Sequence, residues 1–483
     1  MTDRDPEPPR GVIPIVAAAG GFAPLYVSEA KIQPRAVSGW FATWRWSLVW
    51  VTQVLFYGLP WLQWNGRQAV LFDLTARRFY IFDIVLHPQD VIFLAGLLIL
   101  SAFGLFLFTA VAGRLWCGYA CPQTVYTEIF MWVEHRFEGD RQARIKLDKA
   151  PWSASKLLRR GGKQLVWIAI GLWTGFTVVA YFTPAKVLVA EVASFGVGPW
   201  EAFWILFYGL ATYGNAGYMR EQVCKYMCPY ARFQSAMFDR DTLIVSYDAR
   251  RGAPRGTRGR DADARALGLG DCIDCGLCVQ VCPTGIDIRQ GLQYACIGCA
   301  ACVDVCNGVM DKMRYPRGLI RFATQNALAA PGAPRLTLRR VLRPRVLVYG
   351  AVLLALCAGF MASLWLRSPF RVDIVRDRGA LARELGHGEI ENVYRLQVMN
   401  ATEARQQYRV GVEGLDGAAL ATRADFALGP AEARWLPVSV RLPAEPAQAL
   451  PAGAHPLRFR IERVEGGAPT AVVREPSTFV VPR

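Results

Sequence analysis

Residues 272–306 have the sequence CIDCGLCVQVCPTGIDIRQGLQYACIGCAACVDVC, in which two cysteine runs share one spacing. The runs are Cys272-x2-Cys275-x2-Cys278-x3-Cys282 and Cys296-x2-Cys299-x2-Cys302-x3-Cys306. This spacing is typical of a bacterial-type ferredoxin with two [4Fe–4S] clusters, in which the fourth cysteine of each run binds the other run's cluster. We therefore predict one cluster bound by Cys272, Cys275, Cys278 and Cys306, and a second bound by Cys296, Cys299, Cys302 and Cys282. Zinc and disulfides are the alternatives, but zinc usually takes four ligands that come in pairs.

The composition differs from that of a soluble electron carrier. Of the 483 residues, 53% are hydrophobic and 12% aromatic, and 15 are tryptophan. A net charge of +16 is compatible with nucleic acid or an anionic membrane as a partner. The long uncharged stretches favour the membrane, so we predict no nucleic-acid partner. The 13 cysteines are grouped as for metal binding and none follows Cys357, which argues against a secreted protein held together by disulfides.

Five uncharged stretches approach the roughly 20 residues that a helix needs to cross a bilayer. They are 46–64, 91–113, 164–184, 202–218 and 346–366. The fourth is the shortest. These stretches predict a multi-domain integral membrane protein with an α-helical transmembrane bundle of about five spans. Its parts are a polar N-terminal segment 1–45 without a cleavable signal peptide, a four-span region 46–218, a ferredoxin-type 2[4Fe–4S] region 219–345, a fifth span 346–366 and a tail 367–483.

The distribution of basic residues predicts the orientation. The loop 114–163 contains ten Lys and Arg residues, whereas 185–199 contains only Lys186. Basic loops stay on the cytoplasmic side, which outweighs Arg77 and Arg78 in the predicted outer loop 65–90. We therefore expect a bacterial inner-membrane protein whose N-terminus, 114–163 loop and ferredoxin region are cytoplasmic. An odd number of spans then places the tail 367–483 in the periplasm.

The tail has a different character. Short runs with β propensity alternate with turn residues, for example NVYRLQVMN, QYRVGVEG, PLRFRIERV and STFVV. This spacing predicts an antiparallel β-sandwich of roughly seven strands. The tail has no cysteine, so a docking or stabilising module is the favoured interpretation.

Two further cysteine pairs share the pattern C-x3-C-P. Cys117 and Cys121 follow the second predicted span, and Cys224 and Cys228 follow the fourth. Cysteines at i and i+4 share a face if the local helix persists; alternatively, the proline biases the preceding cysteine toward extended geometry. Either way the four thiolates can converge at the cytoplasmic face. Soft thiolates select Cu(I), zinc or iron–sulfur, and we predict one shared metal or redox site.

Two structural pairs that pack small apolar thiols are the alternative to that site. The fifth span contains Cys357, which we expect to be a buried, packing thiol. His135, with Glu128 and Glu134, lies on an amphipathic stretch 123–137 that is expected to rest on the membrane surface without chemistry.

The ordered combination of motifs resembles the FixG/CcoG/RdxA family of cytochrome c oxidase accessory proteins. The motifs are WCGYACPQ (116–123), CKYMCPYARFQ (224–234), the double ferredoxin motif and YPRGLIRF (315–322). The β-rich tail resembles the family's immunoglobulin-like C-terminal domain. One departure is Asn307, where a strict ferredoxin motif has proline.

The resemblance implies a role in assembling cbb3-type cytochrome c oxidase. It implies partners among the oxidase subunits or assembly factors, and reduction of Cu(II) to Cu(I). A [4Fe–4S] cluster supplies one electron at a time, which suits that step. We therefore expect electrons to pass through the two clusters toward the cysteine pairs. The electron donor stays unidentified, since no GxGxxG motif lies in a βαβ context.

Two other functions are compatible with these motifs. Quinol-oxidising membrane ferredoxins of respiratory chains also carry paired C-x3-C-P motifs and a double ferredoxin domain, although the β-rich tail fits them less well. A non-enzymatic scaffold for oxidase assembly, with its clusters as sensors or structural staples, is the second alternative.

Overall fold

The computed structural model describes residues 31–329, 342–377 and 382–482. Most of the predicted N-terminal segment, and residues 330–341 of the predicted ferredoxin region, therefore lie outside the described residues. Within them the chain forms a helical region, a cysteine-rich insert and a β-sandwich. The helices are α1 (Trp40–Gly58), α2 (Val91–Ala112), α3 (Leu115–Tyr119), α4 (Pro122–Glu138), α5 (Arg141–Lys149), α6 (Ala154–Val179), α7 (Ala185–Ala193), α8 (Pro199–Gly214), α9 (Pro229–Met237), α10 (Ala249–Gly252), α11 (Leu277–Gln280), α12 (Ala301–Met313), α13 (Gln325–Ala329), α14 (Pro344–Trp365) and α15 (Ala444–Ala449).

In the described part of the chain, three helices are long and apolar enough to cross a membrane, and they indicate membrane association. They are Pro88–Ala112, which contains α2, together with α6 and α14. The other two predicted spans are also helical, but α1 has 19 residues and α8 only 16. A π-helical segment, Asn215–Met219, continues α8. The expectation of about five spans is thus supported for three of them.

The segment predicted as an outer loop, 65–90, contains small sheets. Strands β1 (Gln63–Trp64) and β2 (Arg67–Gln68) form a hairpin, and a three-stranded antiparallel meander of β3 (Val70–Asp73), β4 (Arg78–Ile81) and β5 (Ile84–Leu86) follows. After the meander, the buried Asp90 pairs with Arg367 at 2.7 Å and with Arg371 at 2.9 Å. These ion pairs attach the β-sandwich to the amino-terminal end of α2.

The cysteine-rich insert is closed by one strand from each side of the ferredoxin motif. Strand β6 (Ile244–Tyr247) precedes the cysteine runs, and β7 (Ile320–Ala323), within the YPRGLIRF motif, follows them. The two strands pair antiparallel, with Val245 opposite Phe322. Buried side chains of both strands, such as Val245 and Ile320, pack against the cysteine loops. The insert is therefore a ferredoxin-like unit with its own core.

The C-terminal part is a two-sheet sandwich. One sheet has the order β12-β14-β10-β8, with β9 also on β10, and the other has the order β13-β11-β15-β16. Their facing side chains, including Tyr394, Tyr408 and Phe459, form one buried core. The strands are β8 (Phe370–Arg376), β9 (Arg383–Glu384), β10 (Ile390–Asn400), β11 (Gln406–Glu413), β12 (Ala419–Leu420), β13 (Asp425–Leu428), β14 (Ala433–Leu442), β15 (Gly453–Glu465) and β16 (Ala468–Val481).

The prediction of a buried Cys357 is wrong. Cys357 lies on α14 and is exposed. Helix α14 packs mainly against α2. Most of the apolar surface of both helices is not covered by other parts of the protein. Such a surface suits lipid, so an apolar residue in a membrane helix need not be packed inside the protein.

Candidate iron–sulfur centres

The structure collects the eight ferredoxin cysteines around two adjacent cavities. Cys272, Cys275, Cys278 and Cys306 line the first ferredoxin cavity. The second ferredoxin cavity is lined by Cys282, Cys296, Cys299 and Cys302, with Cys278 also at its border. In each set the fourth cysteine comes from the other run, as the spacing predicts. Their role as cluster ligands stays a prediction.

The backbone of both runs turns in the same way. Asp274 (φ 52°) and Gly298 (φ 70°) precede the second cysteine of their runs, and Gly276 (φ 65°) and Ala300 (φ 59°) follow it. These positive φ values lie in the left-handed region, which costs a non-glycine residue such as Asp274 or Ala300 free energy and is found mainly at functional sites. Left-handed residues at matching positions curve each loop, and the three close cysteines of each run line one cavity.

Burial makes these thiols poor free acids. It raises the pKa of the Cys296 thiol to about 12 and that of Cys299 to about 11. Burial likewise raises the pKa of Cys306 to about 12. A thiolate in these places therefore needs a positive partner, which is what a bound metal centre supplies. Among the described residues, neither cavity is lined by a carboxylate or a histidine, so the donor set fits iron–sulfur clusters.

The four other predicted site residues also come together. We call Cys117, Cys121, Cys224 and Cys228 the thiol quartet. Burial raises the pKa of the Cys224 thiol to about 12, and the three other thiols of the quartet contribute to this rise. Cys117 donates a hydrogen bond to Gln234 Oε1 at 3.3 Å. The quartet thus lies between α3, α4 and α9, although its two halves are more than 100 residues apart in the sequence.

Proline sets the local geometry of the quartet. Cys121 and Cys228 have extended backbones, with ψ angles of 128° and 109°, and each immediately precedes a helix that starts with proline. Of the two geometries that the sequence leaves open, the structure therefore has the extended one. Proline at the first helical position is pre-organised for the helix and loses no intrahelical hydrogen bond. In each pair the first cysteine lies in a short helical segment, Cys117 in α3 and Cys224 in the π-helical Val223–Met227, and the second lies at the amino end of α4 or α9.

Among the described residues, no three His, Cys, Asp or Glu side chains lie close enough together to hold a single metal ion. This applies to the ferredoxin cysteines as well as to the quartet. In a [4Fe–4S] cluster each cysteine binds a different iron, so its four thiols surround a larger object than one ion.

The quartet directly adjoins the second ferredoxin cavity. Arg114 lies between them: its guanidinium donates to the carbonyl oxygens of Tyr294 and Ala231. Burial lowers the pKa of Arg114, while the thiols of Cys117 and Cys296 oppose this. A single buried cation therefore adjoins both sets of thiols.

Two side chains that the sequence analysis missed fix the insert on α1. Arg45 is buried and donates to the carbonyl oxygen of Cys299 at 2.7 Å. Asp304 of α12 accepts hydrogen bonds from the backbone N–H groups of Phe41 and Ala42 at the start of α1. A carboxylate at a helix N-terminus satisfies free N–H groups and the helix dipole. Local patterns gave no signal for these pairs, which are separated by more than 250 residues.

A cavity of about 230 Å³, which we call the interface cavity, lies between α1, α4 and the ferredoxin insert. Its wall includes Cys299 of the second ferredoxin cavity and Cys224 of the quartet. One face of α4 lines it with Thr124, Thr127, Glu128, Met131, Trp132 and His135. The spacing of these residues by three and four predicts a helix face on the membrane surface, whereas in the structure that face lines the cavity.

The departure from the ferredoxin motif has a structural role. Asn307 accepts a hydrogen bond from the backbone N–H of Gly318, at 3.0 Å. A proline at 307 would lie inside α12, where it cannot donate to the helix. Asparagine instead links α12 to the YPRGLIRF segment that leads into β7.

Comparisons with known proteins cover all of these parts. A family model described as a 4Fe-4S dicluster domain matches residues 219–325, and one described as a 4Fe-4S binding domain matches residues 94–139. A third, described as an IG-like fold at the C-terminal of FixG, matches residues 360–482. The chain thus carries iron–sulfur domains and an immunoglobulin-like tail, and the second match includes Cys117 and Cys121.

Curated relatives extend along most of the chain. "Nitrogen fixation protein FixG" of Rhizobium meliloti is 38% identical over 436 residues, covering 84% of this chain and 83% of that protein. "Protein RdxA" of Cereibacter sphaeroides is 40% identical over 404 residues, covering 82% and 84%. A crystal structure of a FixG-related protein from Vibrio parahaemolyticus is 24% identical, with a TM-score of 0.21, and covers 24% of this chain and 97% of that one. By the extent and identity of the first two matches, the chain belongs to the FixG/RdxA family of iron–sulfur electron-transfer proteins.

Proposed function

We propose that this protein is a membrane-bound cupric reductase that passes electrons through two [4Fe–4S] clusters to the thiol quartet, where Cu(II) becomes Cu(I). The Cu(I) is then delivered for the assembly of cbb3-type cytochrome c oxidase. The copper and oxidase parts rest on the family resemblance. The observation that supports the electron path is the direct contact of Cys299, in the second ferredoxin cavity, with Gly118 of α3, between Cys117 and Cys121.

The chemistry of each centre supports this direction. Each cluster transfers one electron, as Cu(II) reduction requires, and cluster potentials are tuned by charge, hydrogen bonds and exposure. Thiolates are soft ligands that favour Cu(I) over Cu(II), so the quartet stabilises the product. Cys299 of the second ferredoxin cavity lies against Gly118, between Cys117 and Cys121 of the quartet, whereas the first ferredoxin cavity includes the exposed Cys275. The second cluster is therefore the inner one, next to the quartet.

The proposed orientation follows from the basic residues. The 114–163 segment, with ten Lys and Arg residues, lies on the cytoplasmic side, and the ferredoxin insert shares that side because it packs on the start of α1. The β-sandwich lies in the periplasm, attached through Asp90 at the opposite end of the first apolar helix. Copper reduction thus takes place at the cytoplasmic face of the inner membrane.

The nature of the quartet is testable apart from the rest. We propose that it is one shared metal or redox site. In variants with Cys117 or Cys224 changed to serine, we expect lower metal content with the iron of the two ferredoxin clusters retained. Unchanged metal stoichiometry would show that the pairs are structural.

The central experiment is anaerobic purification of the full chain, with iron, sulfide and copper analysis and EPR before and after Cu(II) is added. We expect Cu(II) to reoxidise the reduced clusters, and one Cu(I) to form for each electron that the clusters lose. A Cys272→Ser protein that lacks its cluster should lose this activity. Full activity in that variant would refute the relay, and rescue of oxidase assembly by it would favour a scaffold.

A further inference from the structure

The interface cavity has features of a binding site that the relay to copper does not use. Two buried arginines border it, Arg45 and Arg144, each about 5% exposed. The Nε of each has no hydrogen-bond partner among the described residues. Buried donors without acceptors are costly, so their presence on a cavity wall indicates a ligand that carries acceptor oxygens.

The rest of the wall restricts what this ligand is. Its apolar part includes Trp46, Trp132 and Met131. Its charged groups, four arginines and the carboxylates of Glu128 and Glu221, have a net positive charge. That balance disfavours a copper ion, because a cation would have to be desolvated beside buried arginines. A volume of about 230 Å³ is below the ~300–1,000 Å³ of pockets for drug-sized ligands. A cavity of this size fits a ligand that consists of one substituted ring.

The position of the cavity gives access from the membrane. Trp46 belongs to α1, whose following turns expose Trp50, Val51 and Val54. The rings of Trp46 and Trp132 pack edge to face, with centroids 6.3 Å apart, and Trp132 is 55% exposed. Tryptophans of this kind are enriched at the boundary between lipid and water. A ligand dissolved in the bilayer can therefore reach the cavity along α1.

From these observations we infer that the interface cavity binds a membrane-soluble hydroquinone, which is the electron donor of the protein. The inference rests on the proposed relay and adds its reductant. One hydroquinone is oxidised to the quinone with loss of two electrons and two protons. The two electrons enter through the cluster at Cys299, and the other cluster holds the second electron until the first has passed to the quartet, so that each [4Fe–4S] cluster is reduced by one electron. The protons pass to Glu128 and His135, and from the exposed His135 to water.

The arrangement explains why one face of α4 carries both apolar and proton-accepting groups. Thr127, Glu128, Met131 and His135 are spaced by one, three and four residues, so they share a side of the helix. Glu128 also pairs with Arg45 at 3.7 Å, and Arg45 holds the carbonyl of Cys299. The site for the donor and the loop of the inner cluster are thus connected through one side chain.

The test uses the full chain with both clusters, purified anaerobically, and duroquinol or duroquinone as the probe. Stopped-flow absorbance follows cluster reduction by duroquinol and, in the reverse direction, oxidation of dithionite-reduced clusters by duroquinone. At least one direction is thermodynamically downhill whatever the cluster potentials are. We expect Met131→Trp, which fills the cavity, to slow that reaction at least tenfold. Val54→Trp adds a side chain of the same size on the exposed side of α1 and should match the wild type.

Thr127→Leu, which fills the cavity from the same helix with less bulk, serves if Met131→Trp does not fold. Equal rates in the wild type and in a folded cavity-filling variant would overturn the inference, as would the absence of reaction in both directions. The proposed function is judged separately, by adding Cu(II) to dithionite-reduced wild-type protein. Copper reduction there, without any reaction with duroquinol or duroquinone, would leave the relay standing and remove the hydroquinone.

Discussion

Gly118 lies against the backbone of Cys299: a Cβ atom at position 118 would be 2.8 Å from both the Cα and the nitrogen of Cys299. The C-x3-C-P loop and the loop of the second ferredoxin cavity therefore touch backbone to backbone, which the absence of a side chain at 118 permits. Because electron tunnelling falls steeply with distance, this close approach is where the proposed relay would pass an electron from the inner cluster to the quartet.

Gly118→Ala should separate these two loops. The added methyl group meets rigid backbone on the Cys299 side, so the loops must shift. We expect the rate of Cu(II) reduction by the reduced protein to fall roughly tenfold, equivalent to about 1.4 kcal/mol in the barrier, together with a changed EPR signal of the inner cluster. Gly104→Ala is the matched control, since a Cβ at 104 meets nothing within 4 Å. Wild-type rates and spectra in Gly118→Ala would show that the contact is dispensable.

The crossed pairing of the fourth cysteines gives a second prediction. Cys282→Ser should damage the same cluster as Cys296→Ser, and Cys306→Ser the same cluster as Cys272→Ser, because each pair lines one cavity. Loss of one cluster lowers the iron content from about eight to about four per chain. EPR of each variant shows which signal remains, and Cys357→Ser, on the exposed side of α14, should change neither. If Cys282→Ser instead removed the signal that Cys272→Ser removes, each run would hold its own cluster.

The sequence predicts how the cysteines are grouped because the members of each group are only three or four residues apart in the chain. The runs at 272–306 must fold into tight loops to bring three thiols together, and the repeated C-x3-C-P pattern marked the quartet in the same way. The proline after Cys121 and Cys228 even determines the extended backbone that places them.

What the sequence could not reveal are contacts between distant segments. The first predicted span began at Trp46 because Arg45 carries a charge, yet the helix starts at Trp40 and Arg45 is buried in it. Its charge is accommodated by the Cys299 carbonyl and by Glu128, and neither partner is visible from its neighbours in the sequence. Arg45 thus lies inside α1 and on the wall of the interface cavity.

His87 predicts a pH-dependent stability of the junction with the β-sandwich. Burial lowers the pKa of His87 from its ordinary 6.5 to about 4, and Arg367 and Arg78 add to this effect while Asp90 opposes it. Between these values the unfolded chain binds a proton that the folded chain excludes, so stability falls as the pH drops from about 6.5 toward 4. His87→Asn should reduce this loss, measured as the thermal midpoint against pH. The control is His455→Asn, at a histidine that bonds the Pro451 carbonyl; the same pH slope in His87→Asn as in the wild type would contradict the assignment.

Arg114 provides a last prediction, because it is the cation shared by the inner cluster and the quartet. A positive charge stabilises the more negative, reduced form of a cluster, so Arg114→Gln should lower the potential of the inner cluster. We expect a shift on the order of 60 mV, which is tenfold in a one-electron equilibrium. Redox titration followed by EPR measures it, and Arg114→Lys, which keeps the charge, should restore most of the potential.

The exposed Arg136 on α4 is the control for net charge, and Arg136→Gln should leave both potentials near their original values. The outer cluster should change less than the inner one in Arg114→Gln, because Arg114 adjoins Cys296 and the quartet and not the cysteines of the first cavity. If both clusters shifted equally, or if Arg114→Lys behaved like Arg114→Gln, the effect would come from altered packing of the loop that Arg114 holds through Tyr294 and Ala231. The electrostatic role would then be wrong.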